Sequence, residues 1–312
     1  MPRCLLALGS NLGNRKQTLE IALREISAIP KSQVLARSSW HQTLAVGGPS
    51  GQGDFLNGVV LVDTEQDVLG IASRLHSIEK RHGRERKVRW AARTLDIDLL
   101  LCDDETINTP DLTIPHPRMS FRQFVLNPAA EIAGYWVVPE TGWTIRALSN
   151  HLRTATRYVA ITAADTKTAN WLAGELCQRL SSPRLEEIIS FAPNDSRGLS
   201  EVEWQQHKEL RQRLSAHFGN QSESMVPVIS ACSPLEELLN ARAGMVYPGL
   251  LIAVSPYSEN LHREKKFQPS QNYTKPLNGP LARISADTPE GLIEEALAAI
   301  EAAWPEINNN CQ

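Results

Sequence analysis

Asp96 and Asp98 stand two residues apart in Leu95-Asp96-Ile97-Asp98-Leu99, a run that reads as a β-strand. On an extended chain both carboxylates leave the same face, roughly 7 Å apart at the backbone, and Ile97 and Leu99 leave the other. Such a pair suits Mg²⁺, a hard cation that binds through one or two carboxylates together with the phosphates of a substrate. An isolated Asp-x-Asp would more often be the solvated face of an edge strand. Its setting argues otherwise. Residues 80–93 carry seven Lys or Arg and one acid, Arg84, Arg86, Arg89 and Arg93 among them. Guanidinium groups pair bidentately with phosphate and keep their charge. Carboxylates set directly after a basic loop supply the two signs of charge that a Mg²⁺-bound nucleoside triphosphate requires.

His116 lies between two prolines in Ile114-Pro115-His116-Pro117-Arg118, which stiffen it. A lone histidine is more often structural, yet a rigid one beside phosphates can donate to a bridging oxygen. Arg122 and Phe124 could present a cation and a ring to one cleft, although Phe121 or Phe124 could equally be core. Phe55 and Asn57, in Asp54-Phe55-Leu56-Asn57, alternate at the start of a strand beside the glycine-rich loop 47–53. A ring and an amide suit a flat polar heterocycle, one by stacking and the other by paired hydrogen bonds. A plain turn-to-strand junction would look the same.

The elements that must hold these groups are legible in outline. Residues 4–8 read as a buried strand followed by the turn formers Gly9-Ser10-Asn11-Leu12-Gly13-Asn14. Leu19, Ala22, Ile26 and Ile29 then recur at helical spacing, with Asn14 as cap and Pro30 as stop. Val59 to Val62 read as a strand; Val68, Ile71, Leu75 and Ile78 mark a second amphipathic helix, and Leu95 to Leu101 a further strand. A hairpin-like β stretch near 36–62 among these helices favours an α+β sandwich over a parallel Rossmann sheet. A boundary is expected at residues 155/156, because Tyr158-Val159-Ala160-Ile161 begins a new α/β rhythm. That rhythm includes a strand at Leu250 to Val254 and a last helix patterned by Leu292, Leu297, Ile300 and Trp304. Residues 193–235 are polar and irregular, with one helical pattern near 201–217.

At 312 residues, 42% hydrophobic and 21% charged, the chain fits two globular domains of ordinary composition. A net charge of -3 disfavours a protein that coats nucleic acid or anionic membrane. A nucleic-acid module is further disfavoured by the lack of an aromatic-rich strand on which bases would stack. The five cysteines, Cys4, Cys102, Cys177, Cys232 and Cys311, are scattered in sequence and read as free thiols of a reducing cytoplasm. The apolar stretch after Met1 is too short for a signal peptide or a membrane span.

Residues 3–150 resemble the 6-hydroxymethyl-7,8-dihydropterin pyrophosphokinase family of folate biosynthesis. The likeness rests on Ala7-Leu8-Gly9-Ser10-Asn11-Leu12-Gly13, on Asp54-Phe55-Leu56-Asn57, on Arg89 to Leu100, and on Leu112 to Met119 followed by Arg122 and Phe124. It implies a ferredoxin-like α/β sandwich, two Mg²⁺ on Asp96 and Asp98, and catalytic roles for Arg84, Arg93, Asp96 and Asp98. ATP would be held by His76, Glu79, Arg86, Trp90, Leu99, His116 and Arg122. The pterin would lie between Phe55 and Phe124, with Asn57, Thr43 and Val46 as polar and backbone partners. Loops 45–53 and 83–92 would close over the substrates. Ala45 departs from a proline of the family and Ala91-Ala92 from a commoner Gly-Pro, which bears on loop closure more than on charge.

The second half, residues 156–312, resembles a deoxynucleoside kinase that has lost its phosphate loop, a degenerate P-loop-like α/β domain. Ile161 to Thr168 follow a strand and precede a helix, but only Lys167 and Thr168 match the phosphate-binding pattern. A structural or regulatory role is expected, with a homodimer through this domain as one form of it; nucleoside binding or phosphorylation is the alternative.

Overall fold

The computed structural model describes residues 2–83, 92–163, 165–185, 212, 228–231, 248–254 and 279–310. They divide into two compact units, Met1–Ser149 and Asn150–Gln312.

The first unit begins with β1 (Arg3–Ser10), α1 (Arg15–Ser27), β2 (Ser32–Arg37), β3 (His41–Thr43), β4 (Phe55–Thr64), α2 (Val68–Arg81) and β5 (Asp96–Cys102). Both helices start where a short polar side chain can take an orphan amide. Asn14 Oδ1 accepts from Gln17 N at 3.1 Å, and Asp67 Oδ1 from Gly70 N at 2.7 Å. The strands form one antiparallel sheet in the order β2-β4-β1-β5, with β3 also on β4. Period-two alternation sends Cys4, Leu6 and Leu8 of β1 to the face covered by Leu19, Ala22 and Ile26 of α1 and Ile71, Leu75 and Ile78 of α2. The opposite face receives α3 (Gln123–Ala133), which packs on β4 and buries Val125, Leu126 and Ala129. The result is an α+β arrangement with a helix layer on each side of the sheet.

β5 is the edge strand that carries Asp96 and Asp98, and its ladder to β1 is not uniform. Leu6 pairs with Leu99 but Leu5 with Leu101, so Leu100 is an extra residue. This β-bulge flips the alternation beyond it. Two short hairpins follow, β6 (Ile107–Asn108) with β7 (Thr113–Ile114), and β8 (Val137–Val138) with β9 (Trp143–Thr144). α4 (Ile145–Thr154) spans the division between the units.

The second unit contains β10 (Tyr158–Ala163), α5 (Thr166–Leu180), β11 (Arg184–Leu185), β12 (Val228–Ala231), β13 (Leu250–Val254), β14 (Leu281–Ile284) and α6 (Pro289–Ala303). Its sheet is parallel throughout, in the order β11-β12-β10-β13-β14. β13 is buried along its whole length, as a strand with both faces covered must be. α6 starts at Pro289 with Thr288 as cap. Its buried face is wider than the spacing of Leu292 and Ile300 predicts: Ile293, Ala296 and Ala299 are buried, whereas Leu297 is only half-buried. Trp304 is fully buried and donates from Nε1 to Leu152 O at 3.0 Å. Most of residues 193–235, with the helical pattern near 201–217, lies outside the described residues. Among those described, no helix is long and apolar enough to cross a membrane.

Candidate active site

The period-two reading of β5 is what the structure shows. Ile97 and Leu99 face the helix layer, and Asp96 and Asp98, both half-buried, face a cavity of about 250 Å³ on the α3 side. Each carboxylate meets a cation. Arg93 Nη1 lies 2.7 Å from Asp96 Oδ2, and Arg122 Nη1 lies 3.9 Å from Asp98 Oδ2. Burial draws the Arg122 guanidinium down from its ordinary value, with Asp98 and Asp96 opposing. His116 Nε2 lies 3.6 Å from the same Asp98 oxygen. Its Nδ1 accepts from Arg118 N at 3.1 Å, which places the ring proton on Nε2, toward Asp98. Burial pushes the His116 imidazole down to about 4, with Asp98 opposing and Arg122 and Arg118 assisting. At neutral pH it is a neutral donor.

The same cavity is lined by Thr43, Val46, Phe55, Asn57 and Phe124. Register explains part of this grouping. Thr43 sits opposite Phe55 across β3 and β4, and Asn57 opposite Gly9 across β4 and β1. Asn57 Nδ2 donates to Thr43 Oγ1 at 2.8 Å, which orients the amide. A methyl on Gly9 would come within 2.7 Å of Asn57 Oδ1. Glycine at that position is therefore a matter of space. Phe124 reaches the cavity from the first turn of α3, and Phe121, in the short 3₁₀ turn Met119–Phe121, is core at 4% exposure. Arg122 and Phe124 do converge, with Arg122 Cζ 5.4 Å from the Phe124 ring centroid, through the turn that leads into α3.

A second cavity of about 630 Å³ is lined by His76, Glu79, Leu99 and Leu112 and shares Asp98, His116 and Pro117 with the first. Of the nucleotide set expected from sequence, His76, Glu79, Leu99 and His116 line this second cavity, whereas Arg122 lines the first beside the residues expected to hold the pterin; the two cavities meet at Asp98 and His116. Two members act differently from a simple ligand contact. Glu79 is buried, and its Oε1 accepts from Ile97 N at 2.7 Å, so it braces the backbone between the two aspartates. Leu99 belongs to the helix-side core and meets this cavity as part of its wall. Arg84, Arg86, Arg89 and Trp90 lie outside the described residues.

Asn11 plays a part that its sequence context alone did not assign. It is 7% exposed and takes Arg93 N on Oδ1 at 2.7 Å, while its own N donates to Arg93 O at 3.1 Å. Its Nδ2 donates to Gln52 Oε1 and to Gly53 O, both at 3.3 Å. One side chain thereby joins the β1–α1 turn to Arg93 and to the glycine-rich loop. The signals in the sequence are its place among turn formers and in the motif Ala7 to Gly13, neither of which names these partners. Gln52 and Arg118, which also line the first cavity, carried no signal of their own.

Comparison with known proteins decides what this site belongs to. Residues 5–134 match the family model of 7,8-dihydro-6-hydroxymethylpterin-pyrophosphokinase (HPPK). A 2-amino-4-hydroxy-6-hydroxymethyldihydropteridine pyrophosphokinase of Haemophilus influenzae is 40% identical over 136 residues, 44% of this chain and 84% of that protein. That of Methylorubrum extorquens is 38% identical over 146 residues, 47% of this chain and 90% of the relative. The chain belongs to the HPPK family. All sixteen candidate residues, from Thr43 to Phe124, fall inside the matched span, and the second unit falls wholly outside it. A solved HPPK-DHPS structure covers 81% of this chain and 72% of its own, at 13% identity and a TM-score of 0.38, too slight a likeness to assign a fold to the second unit. HPPK enzymes are ATP-dependent diphosphotransferases that require Mg²⁺. The donor set fits that ion: two hard carboxylates stand on one wall with guanidinium groups beside them, the oxygen donors that Mg²⁺ takes.

Proposed function

We propose that this chain transfers the β,γ-pyrophosphoryl group of ATP to the hydroxymethyl group of 6-hydroxymethyl-7,8-dihydropterin, giving AMP and the pterin diphosphate. The observation that carries the reading is the pair of cavities meeting at Asp98 and His116. The smaller would take the pterin between Phe55 and Phe124, with the Asn57 amide reading its polar edge. The larger would take the nucleotide against His76, Leu99 and Leu112. The phosphates would cross the shared boundary, where Arg93 and Arg122 neutralise charge. Asp96 and Asp98 would hold two Mg²⁺, which would supply positive charge against the phosphates as the transfer proceeds.

In the proposed step the hydroxymethyl oxygen bonds to the β-phosphorus as the bond from that phosphorus to the α,β-bridging oxygen breaks, and AMP leaves with the electron pair. His116, neutral and donating from Nε2, would hydrogen-bond the oxygen that leaves. The residues contribute alignment and charge, and no covalent enzyme intermediate is required. Loop 45–53 closing over the substrates would keep water from the reacting phosphorus, and the second loop expected to close, 83–92, lies mostly outside the described residues. The unit's order of elements, a split β-α-β repeated with an antiparallel sheet, supports a ferredoxin-like sandwich. The assay is direct: AMP should appear one for one with pterin diphosphate, and Asp96→Ala should lower turnover by about 10²-fold or more. Normal turnover in that variant sinks the metal assignment.

For the second unit we infer a nucleoside-kinase-like parallel sheet that no longer holds phosphate. The strand order, with the first strand central, supports the fold. The start of α5, where a phosphate loop would deliver its anion, is taken by the chain itself. Asp165 accepts from Thr168 N and from Thr168 Oγ1, both at 2.8 Å. A carboxylate thus sits on the amides that would cradle a phosphate. A structural or regulatory role follows, and a thermal shift of the full chain by nucleosides or nucleotides that persists in Asp96→Ala would favour nucleoside binding instead.

A further inference from the structure

Cys4 and Cys102 are 98 positions apart in sequence and directly opposite each other in the sheet, Cys4 of β1 against Cys102 of β5. Both are free and fully buried, and both face the helix-side core. The ladder fixes what kind of pair this is. Asp103 N donates to Arg3 O at 2.9 Å, so Arg3 and Asp103 occupy a hydrogen-bonded position. Antiparallel positions alternate, and the next pair inward, Cys4 and Cys102, is therefore non-hydrogen-bonded, where Cα atoms approach to about 4.5 Å and side chains are closest. That spacing lies at the short end of the range of about 4.4–6.8 Å that a disulfide spans. The bulge at Leu100 is what brings the two together, since an even ladder from Leu6 and Leu99 would set Leu101 opposite Cys4.

We propose that Cys4 and Cys102 are an oxidisable pair, closed by a two-electron thiol oxidant into a cross-strand disulfide that staples the edge strand β5 to β1. In the step, one thiol sulfur bonds to the other and the pair gives up two protons and two electrons, which the oxidant accepts. Access comes from position. Cys102 is the last residue of an edge strand and Cys4 the second of β1, so a local opening at one corner of the sheet exposes both. Asp103, immediately after Cys102, turns the chain away at a positive φ of 41°, so the ladder between β1 and β5 ends there and the corner can fray. A disulfide there closes a loop of nearly a hundred residues and restricts the unfolded chain accordingly.

The test uses the full-length protein, first reduced and then treated with diamide, which takes up both protons and both electrons. After quenching with N-ethylmaleimide in denaturant and digestion without reduction, mass spectrometry should find a Cys4–Cys102 linked peptide. The oxidised protein should show a midpoint raised by roughly 5 °C in thermal unfolding. Cys102→Ala, checked for native circular dichroism, and Cys4→Ala beside it, should lose both the linked peptide and the shift. Recovery of Cys4 and Cys102 as alkylated thiols from the treated wild type overturns the proposal, as does linkage of either to another cysteine.

Discussion

Gly9 shows how closely the Asn57 side of the first cavity is fitted. Its absent side chain leaves room for the Asn57 amide, whose Oδ1 would lie 2.7 Å from a new Cβ. Gly9→Ala should therefore turn that amide away from Thr43 and raise the KM for the pterin by about 10-fold, the weight of one misplaced hydrogen-bonding group. Steady-state kinetics with varied pterin at saturating ATP checks this, and an unchanged KM would refute it. Asn11 should behave differently, because it holds Arg93 by the backbone and touches no expected substrate position. Asn11→Ala should lower kcat by about 10²-fold through misplacement of Arg93, with a smaller change in KM, and Asn11→Asp should restore less than half of it by keeping only the acceptor. Equal kcat in Asn11→Ala and wild type would remove the positioning role. These two residues also mark the limit of what the sequence discloses. Asp96 and Asp98 were legible because a strand's period of two fixes their common face from local information alone. Asn11 was not, because its partners Arg93 and Gln52 are 82 and 41 positions away and meet it only through the fold.

Elements whose boundaries depend on local chemistry were read correctly for physical reasons that can be named. α1 begins after Asn14, as its place in the sequence predicts, because that side chain satisfies an amide of the first turn; Asp67 does the same for α2, a cap that the apolar spacing of Val68, Ile71, Leu75 and Ile78 did not name. The bulge in β5 was not legible, since an extra residue leaves no mark in the apolar run Leu99-Leu100-Leu101, and its consequence is the pairing of two cysteines that look scattered in sequence. α4 carries a titratable group whose effect can be measured. His151 Nε2 donates to Pro248 O at 3.0 Å, and burial pushes the imidazole below its ordinary value against the pull of that carbonyl. The folded protein thus favours neutral His151, and acid favours the unfolded chain, which binds the proton more readily. The stability that this difference contributes is whole above the ordinary histidine value of about 6.5 and declines as pH falls from there toward the folded value. Between about pH 7.5 and about pH 5.5 the wild type should lose more thermal stability than His151→Gln. Parallel melting-temperature curves for the two proteins would show that the imidazole is not the group responsible.

At the scale of the whole molecule, chemistry and mass are unequally shared. Every candidate residue for pyrophosphoryl transfer lies in the first unit, and the second unit has a core of its own built on a parallel sheet. The order of that sheet could not be read from sequence: its central pairing sets Tyr158 against Val228, and parallel partners leave no hairpin signal between them. The apolar runs of β10 and β13 were visible, and their neighbours were not. The core of the second unit offers a way to perturb it without touching the site. Gly249 is buried just before β13, and a methyl there would come within 2.7 Å of both Thr156 O and the Trp304 ring. The backbone oxygen cannot turn aside as a side chain could, so Gly249→Ala should destabilise the second unit by about 1–3 kcal/mol. If transfer depends on the first unit alone, AMP release at 25 °C should stay within about 2-fold of wild type while a thermal transition moves down. A fall in kcat in step with the lost stability would instead show that the second unit supports turnover, and would make Trp304 and its neighbours part of how the enzyme is regulated.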